Sequence, residues 1–242
     1  MGALNGRKAL VTGGSRGIGR AIVERLTGDG ADVVFGYRRD KEAAGEVAAA
    51  TGAHAVRADV AMAAEVDDLF RRAESLLGPL DVLVNNAAVW LPRGRLTEAS
   101  EDDFDAMMAV NAKGTFLALQ HAAQRLRDGG RVVNLSSVSV RRPTPGNAVY
   151  AASKAAVEQF TAVAALELGA RGITVNCVAP GATDTAMLRE SLPPRLLARA
   201  ARNTILGRLG TGEDIAGIVA FLAGPDSGWI TGQTISATGG LL

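Results

Sequence analysis

The sequence predicts an α/β fold with one doubly wound parallel sheet of about seven strands and helices on both faces. Short β-branched segments alternate with longer helical segments along the chain. Strands such as Val132–Leu135 are apolar on both faces, as expected of a parallel sheet covered on each side. The length of 242 residues suits one large domain, and no linker, repeat or low-complexity segment divides it. We therefore predict a single domain over residues 1–242.

The predicted strands and helices follow one another in strict alternation. The strands are Lys8–Thr12, Asp32–Tyr37, His54–Ala58, Val82–Asn85, Arg131–Ser136, Ile173–Ala179 and Gln233–Ser236. The helices are Gly17–Gly28, Lys41–Thr51, Ala63–Leu77, Glu101–Arg127, Val149–Gly169 and Gly212–Ala223. Residues 183–205 carry a Leu-Pro-Pro segment and several arginines, and we expect them to form a short, partly mobile lid.

Composition excludes several classes of function. The net charge is +1 and the charges are interspersed, so no basic patch predicts binding to nucleic acid or an anionic membrane. No apolar run approaches the roughly 18 residues of a membrane span. The lone Cys177 cannot form an internal disulfide, and His54 and His121 lack metal-ligand spacing. We expect a cytoplasmic protein without a metal ion.

One predicted helix bears on assembly. Apolar residues occur on nearly every face between Ala151 and Leu168. A helix that is apolar all round is buried all round, so a partner subunit is expected to cover its outer face. We predict a homo-oligomer, either a dimer or a tetramer. The alternative is an exposed face that is merely rich in alanine, a strong helix former.

A glycine-rich loop follows the first predicted strand. Thr12-Gly-Gly-Ser-Arg-Gly-Ile-Gly19 leads directly into a helix, whose N-terminus offers free N–H groups and a positive dipole end to a pyrophosphate. The glycines permit a tight turn and close approach of a ligand. An ordinary surface turn is the alternative. The candidate nucleotide-binding residues here are Gly13, Ser15, Arg16, Gly17, Ile18 and Gly19.

The end of the second strand indicates which nucleotide binds. A carboxylate there would bind the ribose hydroxyl of NAD, but the strand ends at Tyr37 and continues with Arg38 and Arg39. Arg38 and Arg16 suit a ribose phosphate, whereas Arg39 can equally be a solvated loop residue. NADP(H) is therefore the predicted cofactor. Further candidates at strand ends, where Asp and Asn also serve as turn formers, are Asp59, Val60, Asn86 and Ala87.

Three residues suggest acid–base chemistry. Tyr150 and Lys154 are four apart in a predicted helix, so both project from one face. A neighbouring ammonium lowers the pKa of a phenol toward the range that catalysis needs. Such a pair also occurs by chance, and Ser137, which follows the fifth predicted strand, can bind a substrate oxygen or simply form a turn.

Asn111 interrupts the inward-facing apolar stripe of its predicted helix. A buried amide without partners costs on the order of 1–3 kcal/mol, so Asn111 is expected to be hydrogen-bonded. It is then either a satisfied core amide or part of a proton path.

Taken in order, these motifs resemble the short-chain dehydrogenases/reductases over nearly the whole chain. The resemblance adds Pro180-Gly181 and rests on Thr12-Gly-x-x-x-Gly-x-Gly19, Asp59, Asn85-Asn-Ala-Ala88, Asn111, Ser137 and Tyr150-x-x-x-Lys154. Ala88 departs from the glycine that is more usual there. The resemblance implies a Rossmann-type NADPH-dependent carbonyl reductase in which Ser137 positions the carbonyl, Tyr150 passes the proton and Lys154 lowers the pKa of Tyr150 and holds the nicotinamide ribose. It also implies that Asn111 holds a water molecule that links Lys154 to solvent, and that the nicotinamide is bordered by Pro180, Gly181, Thr183 and Thr185.

The sequence leaves two classes of substrate possible. The C-terminal segments resemble 3-oxoacyl-[acyl-carrier-protein] reductases, and Arg141, Arg142 and Arg171 could attract an acidic carrier at the site entrance, although Asp128 near them argues against it. The substrate is thus an acyl thioester or a free small ketone, aldehyde or alcohol. A different class of function, a catalytically silent NADP-binding regulator, is disfavoured because the Ser, Tyr and Lys are all present.

Overall fold

The computed structural model describes residues 2–91 and 94–241. Its centre is a seven-stranded parallel sheet in the order β3-β2-β1-β4-β5-β6-β7, which confirms the predicted doubly wound fold. The strands are β1 (Lys8–Thr12), β2 (Asp32–Tyr37), β3 (His54–Arg57), β4 (Val82–Asn85), β5 (Arg131–Leu135), β6 (Thr174–Pro180) and β7 (Thr234–Ala237). The predicted extent of one domain over residues 1–242 stays a prediction, and Met1, Pro92, Arg93 and Leu242 lie outside the described residues.

Helices connect successive strands and cover both faces of the sheet. They are α1 (Gly17–Gly28), α2 (Lys41–Thr51), α3 (Ala63–Leu77), α4 (Glu101–Met107), α5 (Gly114–Arg125), α6 (Ala148–Leu168), α7 (Ala186–Ser191), α8 (Pro194–Arg202) and α9 (Gly212–Ala223). The single helix predicted over Glu101–Arg127 is wrong in detail, because a π-helical turn, Met108–Lys113, separates α4 from α5. The predicted lid contains α7 and α8.

The alternation of side chains along the strands divides the core in two. In β1, Val11 packs with α1 and α9 on one face of the sheet, whereas Leu10 packs with α3 and α5 on the other. Both faces of the central strands are apolar because both are covered. The central strands are therefore buried up to the points where β1 and β4 end.

The outer face of α6 exposes large apolar side chains, as the sequence suggested, together with Gln159 and Glu167. Val157, Thr161 and Ala165 are buried against the sheet, whereas Val163 and Leu166 are 51% and 83% exposed in the isolated chain. The predicted homo-oligomer stays a prediction. Within the described part of the chain, no helix has the length and apolar character that crossing a membrane requires.

Candidate active site

A cavity of about 1260 Å³ opens at the carboxyl edge of the sheet. It lies where β1 pairs with both β2 and β4, the point at which the order of the strands reverses. Ligands of open α/β sheets bind at such a point. The structure brings around this cavity all the predicted nucleotide-binding and catalytic residues except Asn111, namely Gly13, Ser15, Arg16, Gly17, Ile18, Gly19, Tyr37, Arg38, Asp59, Val60, Asn86, Ala87, Ser137, Tyr150, Lys154, Pro180, Gly181, Thr183 and Thr185.

The glycine loop leaves no room for side chains at its crossing points. A Cβ on Gly19 would lie 2.0 Å from the carbonyl oxygen of Gly13, and Gly13 itself has a φ of +69°. The Thr12 hydroxyl accepts hydrogen bonds from the N–H groups of Asn86 (3.0 Å) and Ala87 (3.1 Å). The loop is thus tied to the end of β4, and the N-terminus of α1 borders the cavity. This backbone cradle fits the pyrophosphate of a dinucleotide.

The opposite end of the nucleotide cradle is basic. Arg16, Arg38 and Arg39 line it together with Asp59, and Arg38 Nη1 lies 3.5 Å from Asp59 Oδ2. Asp40 also borders the cavity, but its carboxylate caps α2 by accepting a hydrogen bond from the N–H of Ala43 (2.9 Å). The guanidinium groups therefore outnumber the free carboxylates here, which fits a ribose phosphate better than a bare ribose hydroxyl.

Tyr150 lies in the first turn of α6 and faces the end of β5. Burial raises the pKa of its phenol, and a hydrogen bond with Ser137 opposes that shift. The expectation that Lys154 lowers the pKa of Tyr150 is therefore wrong for this structure, in which burial has the larger effect. Lys154 lies one turn later, is 3% exposed, and its ammonium donates to the carbonyl oxygen of Leu135 (2.8 Å). Burial lowers the pKa of Lys154 to about 8. Ser137, Tyr150 and Lys154 thus converge at the inner end of the cavity, as acid–base chemistry on a bound carbonyl requires.

Asn111 lies within the π-helical turn and is fully buried. Its Oδ1 accepts from the N–H of Val89 (2.8 Å), while its Nδ2 donates to the Val89 carbonyl (3.0 Å) and to Ser153 Oγ (3.0 Å). The partners expected from its burial are therefore present. Asn111 links the segment after β4 to α6, and its predicted role in holding a water molecule stays a prediction.

One position expected at the cavity entrance is wrong. Arg171 lies in the turn before β6, at the opposite edge of the sheet, and does not line the cavity. Its guanidinium donates to Asp128 Oδ1 (2.7 Å) and to the carbonyl oxygens of Ala123 (2.6 Å) and Leu126. These contacts join the turn before β6 to the end of α5 and the turn that follows it, so the role of Arg171 is structural.

A polar network between α6 and β7, partly exposed to solvent, is a feature that the sequence reasoning missed. Glu158 accepts a hydrogen bond from Ser136 Oγ (2.9 Å) and lies 3.5 Å from Arg141, whose guanidinium also donates to Ser236 Oγ (3.1 Å). Arg141 is thus held away from the cavity, and of the three arginines only Arg142 lines it. The position of Glu158, four residues after Lys154, was the available signal.

Sequence reasoning also missed Trp90, whose indole lies beside Tyr150. The two ring centroids are 5.9 Å apart, and Trp90 Nε1 donates to Asn147 Oδ1 (3.3 Å). The available signal was an aromatic residue two positions after Asn85-Asn-Ala-Ala88, at the edge where ligands bind.

Comparison with known proteins agrees with this site. A family model described as Enoyl-(Acyl carrier protein) reductase matches residues 13–242, from the glycine loop to the end of the chain. The chain belongs to the short-chain dehydrogenase/reductase family. The resemblance inferred from the ordered motifs is therefore confirmed.

Three members of the short-chain dehydrogenase/reductase family illustrate the similarity. An NADPH-dependent aldehyde reductase-like protein of Arabidopsis thaliana chloroplasts is 40% identical over 255 residues, covering 98% of this chain and 94% of that protein. A short-chain dehydrogenase/reductase from Serratia marcescens has 44% identity and a TM-score of 0.93, with 98% of each chain covered. A short-chain dehydrogenase from Burkholderia cenocepacia, solved in complex with NADP, has 41% identity and a TM-score of 0.92, also over 98% of each chain.

Proposed function

We propose that this protein is an NADPH-dependent carbonyl reductase, which also runs as an alcohol dehydrogenase in reverse, with Tyr150 as its proton donor. The observation that carries the proposal is the convergence of Tyr150, Ser137 and Lys154 at the inner end of the same cavity that the glycine loop borders. A carbonyl group placed between them meets a hydroxyl, a phenol and an ammonium group.

Each of these groups has a defined task. NADPH, when bound, supplies the hydride for the carbonyl carbon. Ser137 orients the carbonyl oxygen by hydrogen bonding, and Tyr150 donates its phenolic proton to that oxygen. The raised pKa of Tyr150 keeps the phenol protonated until the substrate oxygen becomes basic. The ammonium of Lys154 then stabilises the phenolate that is left. Asn111 positions this set by tying α6 to the segment after β4.

The choice of NADP(H) rests on the basic end of the cradle. Arg16 and Arg38 border the region next to Tyr37, where the ribose of the adenosine half would lie. The predicted cofactor agrees with related structures that hold NADP or NADPH. Pro180, Gly181, Thr183 and Thr185 would border the nicotinamide end.

For the substrate we favour a free ketone or aldehyde over a carrier-bound thioester. Docking of an acidic carrier was expected to use Arg141, Arg142 and Arg171, but Arg171 is at the far edge of the sheet and Arg141 is engaged with Glu158 and Ser236. Only Arg142 is left at the cavity. A 3-oxoacyl thioester remains the second candidate because of the similarity of the C-terminal segments.

Replacing Tyr150 by Phe tests the mechanism directly. We expect kcat to fall by about 10²- to 10⁴-fold, the usual contribution of a general acid, while NADPH binding is retained because the ring still fills its place. The kcat is measured by NADPH oxidation with ketones, aldehydes and acetoacetyl thioesters. The affinity for NADPH is measured by a fluorescence titration. Full activity of Tyr150→Phe would remove Tyr150 from the mechanism. Tight NADPH binding by the wild-type protein without turnover of any carbonyl would favour the silent regulator.

We also propose that the chain forms a homo-oligomer through the outer face of α6, where Val163 and Leu166 are exposed in the isolated chain. Light scattering coupled to size-exclusion chromatography tests this, and Leu166→Glu is expected to lower the measured mass. A wild-type protein with the mass of one chain would contradict it.

A further inference from the structure

The indole of Trp90 lies beside the phenol of Tyr150 and is hydrogen-bonded to the chain. Its Nε1 donates to Asn147 Oδ1 (3.3 Å), and Asn147 Nδ2 donates in turn to Thr144 Oγ1 (2.8 Å). Asn147 is 5% exposed, so this anchor is protected from water. The ring planes of Trp90 and Tyr150 are inclined by 40° with centroids 5.9 Å apart. When a substrate carbonyl binds at Tyr150, the part of the substrate next to the carbonyl therefore lies against the Trp90 indole.

The rest of this end of the cavity is largely apolar. Leu91 follows Trp90 along the chain, and the lid helices α7 and α8 and the turn between them contribute Met187, Leu188, Leu192 and Leu196 to the same cavity. Leu192 is buried, and the other three lid side chains are half-buried. Apart from the catalytic groups, the charged side chains Arg142, Glu190 and Arg199 also line the cavity but are exposed to solvent. The substrate end thus offers one anchored aromatic ring and aliphatic side chains from the lid.

We propose that this end of the cavity selects flat aromatic ketones, whose ring packs against the Trp90 indole while the carbonyl oxygen meets Tyr150 and Ser137. The inference rests on the proposed carbonyl reductase function and gives it a substrate class. Aromatic rings prefer offset or edge-to-face pairing at centroid separations of about 4.5–7 Å. A saturated ring lacks the quadrupole and is thicker, and a flexible acyl chain loses rotational freedom when it is bound.

The first experiment compares two ketones of the same skeleton, β-tetralone and β-decalone. Both are fused bicyclic ketones whose carbonyl is not conjugated to the second ring, so their intrinsic reactivity is similar, but only β-tetralone has an aromatic ring. From NADPH oxidation by the wild-type protein, we expect kcat/KM to be about three- to tenfold higher for β-tetralone. Equal values for the two ketones would overturn the proposal.

Variants of the two tryptophans assign the preference to Trp90. In Trp90→Leu we expect the ratio of the two kcat/KM values to fall to about one, whereas Trp90→Phe keeps an aromatic ring and part of the ratio. Trp229→Leu is the matched control, because Trp229 is fully exposed and does not line the cavity, and it should keep the wild-type ratio. A wild-type ratio in Trp90→Leu would overturn the proposal. Trp90→Phe provides the same comparison if the leucine variant does not fold.

Binding without turnover separates this inference from the proposed function. The chain has two tryptophans, so Trp229→Phe leaves Trp90 as the only indole. With NADP bound to this variant, β-tetralone should change the Trp90 fluorescence at a concentration about three- to tenfold lower than β-decalone does. Preferential binding without reduction of any carbonyl would support the aromatic site and overturn the reductase function. Reduction of simple ketones together with equal binding of the two bicyclic ketones would support the reductase function and overturn the aromatic site.

Discussion

The two ends of the cavity are built in different ways. The nucleotide end is made largely of backbone, since Gly13 and Gly19 cross closely and the Thr12 hydroxyl ties the loop to the end of β4. The substrate end is made of side chains from segments far apart in the chain, with Trp90 after β4, Asn147 before α6 and the lid helices beyond β6. The first end is determined by close packing of the main chain, which tolerates little change. The second depends on side chains that can be exchanged within the same backbone.

Gly19→Ala is expected to break the nucleotide end most severely. The added Cβ would lie 2.0 Å from the Gly13 oxygen and 2.5 Å from Asn86 Nδ2, so the loop must open. We expect the free energy of unfolding to fall by about 1–3 kcal/mol and NADPH affinity to fall about a hundredfold, as the pyrophosphate cradle is lost. Denaturant unfolding measures the free energy of unfolding, and a fluorescence titration measures the affinity for NADPH. Gly45→Ala in α2 is the control, because its Cβ meets nothing within 4 Å. Unchanged NADPH affinity in Gly19→Ala would show that the cradle is not the binding site.

Arg38→Ala tests the basic part of the nucleotide end, where side chains supply the charge. Removing the guanidinium deletes a charge-assisted contact to a ribose phosphate and leaves Asp59 without its partner 3.5 Å away. Such contacts are worth about 1.5–3 kcal/mol, so the preference for NADPH over NADH, measured as the ratio of kcat/KM values, should fall about tenfold to a hundredfold. Arg72→Ala, on the exposed face of α3, should keep the ratio. If Arg38→Ala keeps it too, the phosphate is bound elsewhere.

Lys154 lies between the two ends, and its titration predicts the smallest of these effects. Burial lowers its pKa to about 8, so the ammonium is lost as the pH rises through that value, while the phenol of Tyr150 with its raised pKa stays protonated. The kcat/KM for carbonyl reduction should therefore decrease as the pH rises, by about tenfold one unit above the pKa. A pH profile of NADPH oxidation checks this.

In Lys154→Arg the guanidinium stays charged throughout, so the activity that remains should not fall in this range. A flat profile for the wild-type protein would contradict the assignment of the titration to Lys154.

Much of the nucleotide end was accessible from the sequence because its determinants are local. The glycines at 13, 17 and 19 follow a strand and start a helix, and the spacing of Tyr150 and Lys154 places both on one helical face. The helix predicted over Glu101–Arg127 was less accurate, because a π-helical turn leaves little trace in hydrophobic periodicity. The position of Arg171 was wrong, although its place directly before a parallel strand already indicates the amino edge of the sheet, opposite the edge where ligands bind.

The sequence by itself determined the order of strands and helices along the chain, the glycine loop between β1 and α1, and the spacing of Tyr150 and Lys154, since period, turn chemistry and residue type are properties of short segments. Only the tertiary structure decided that Asn111 is saturated by Val89 and Ser153, that Arg141 is held by Glu158, and that Trp90 stands beside Tyr150 on an anchor from Asn147. These contacts join residues from about 17 to about 60 positions apart, and their partners are chosen by the packing of helices on the sheet, which no local pattern encodes.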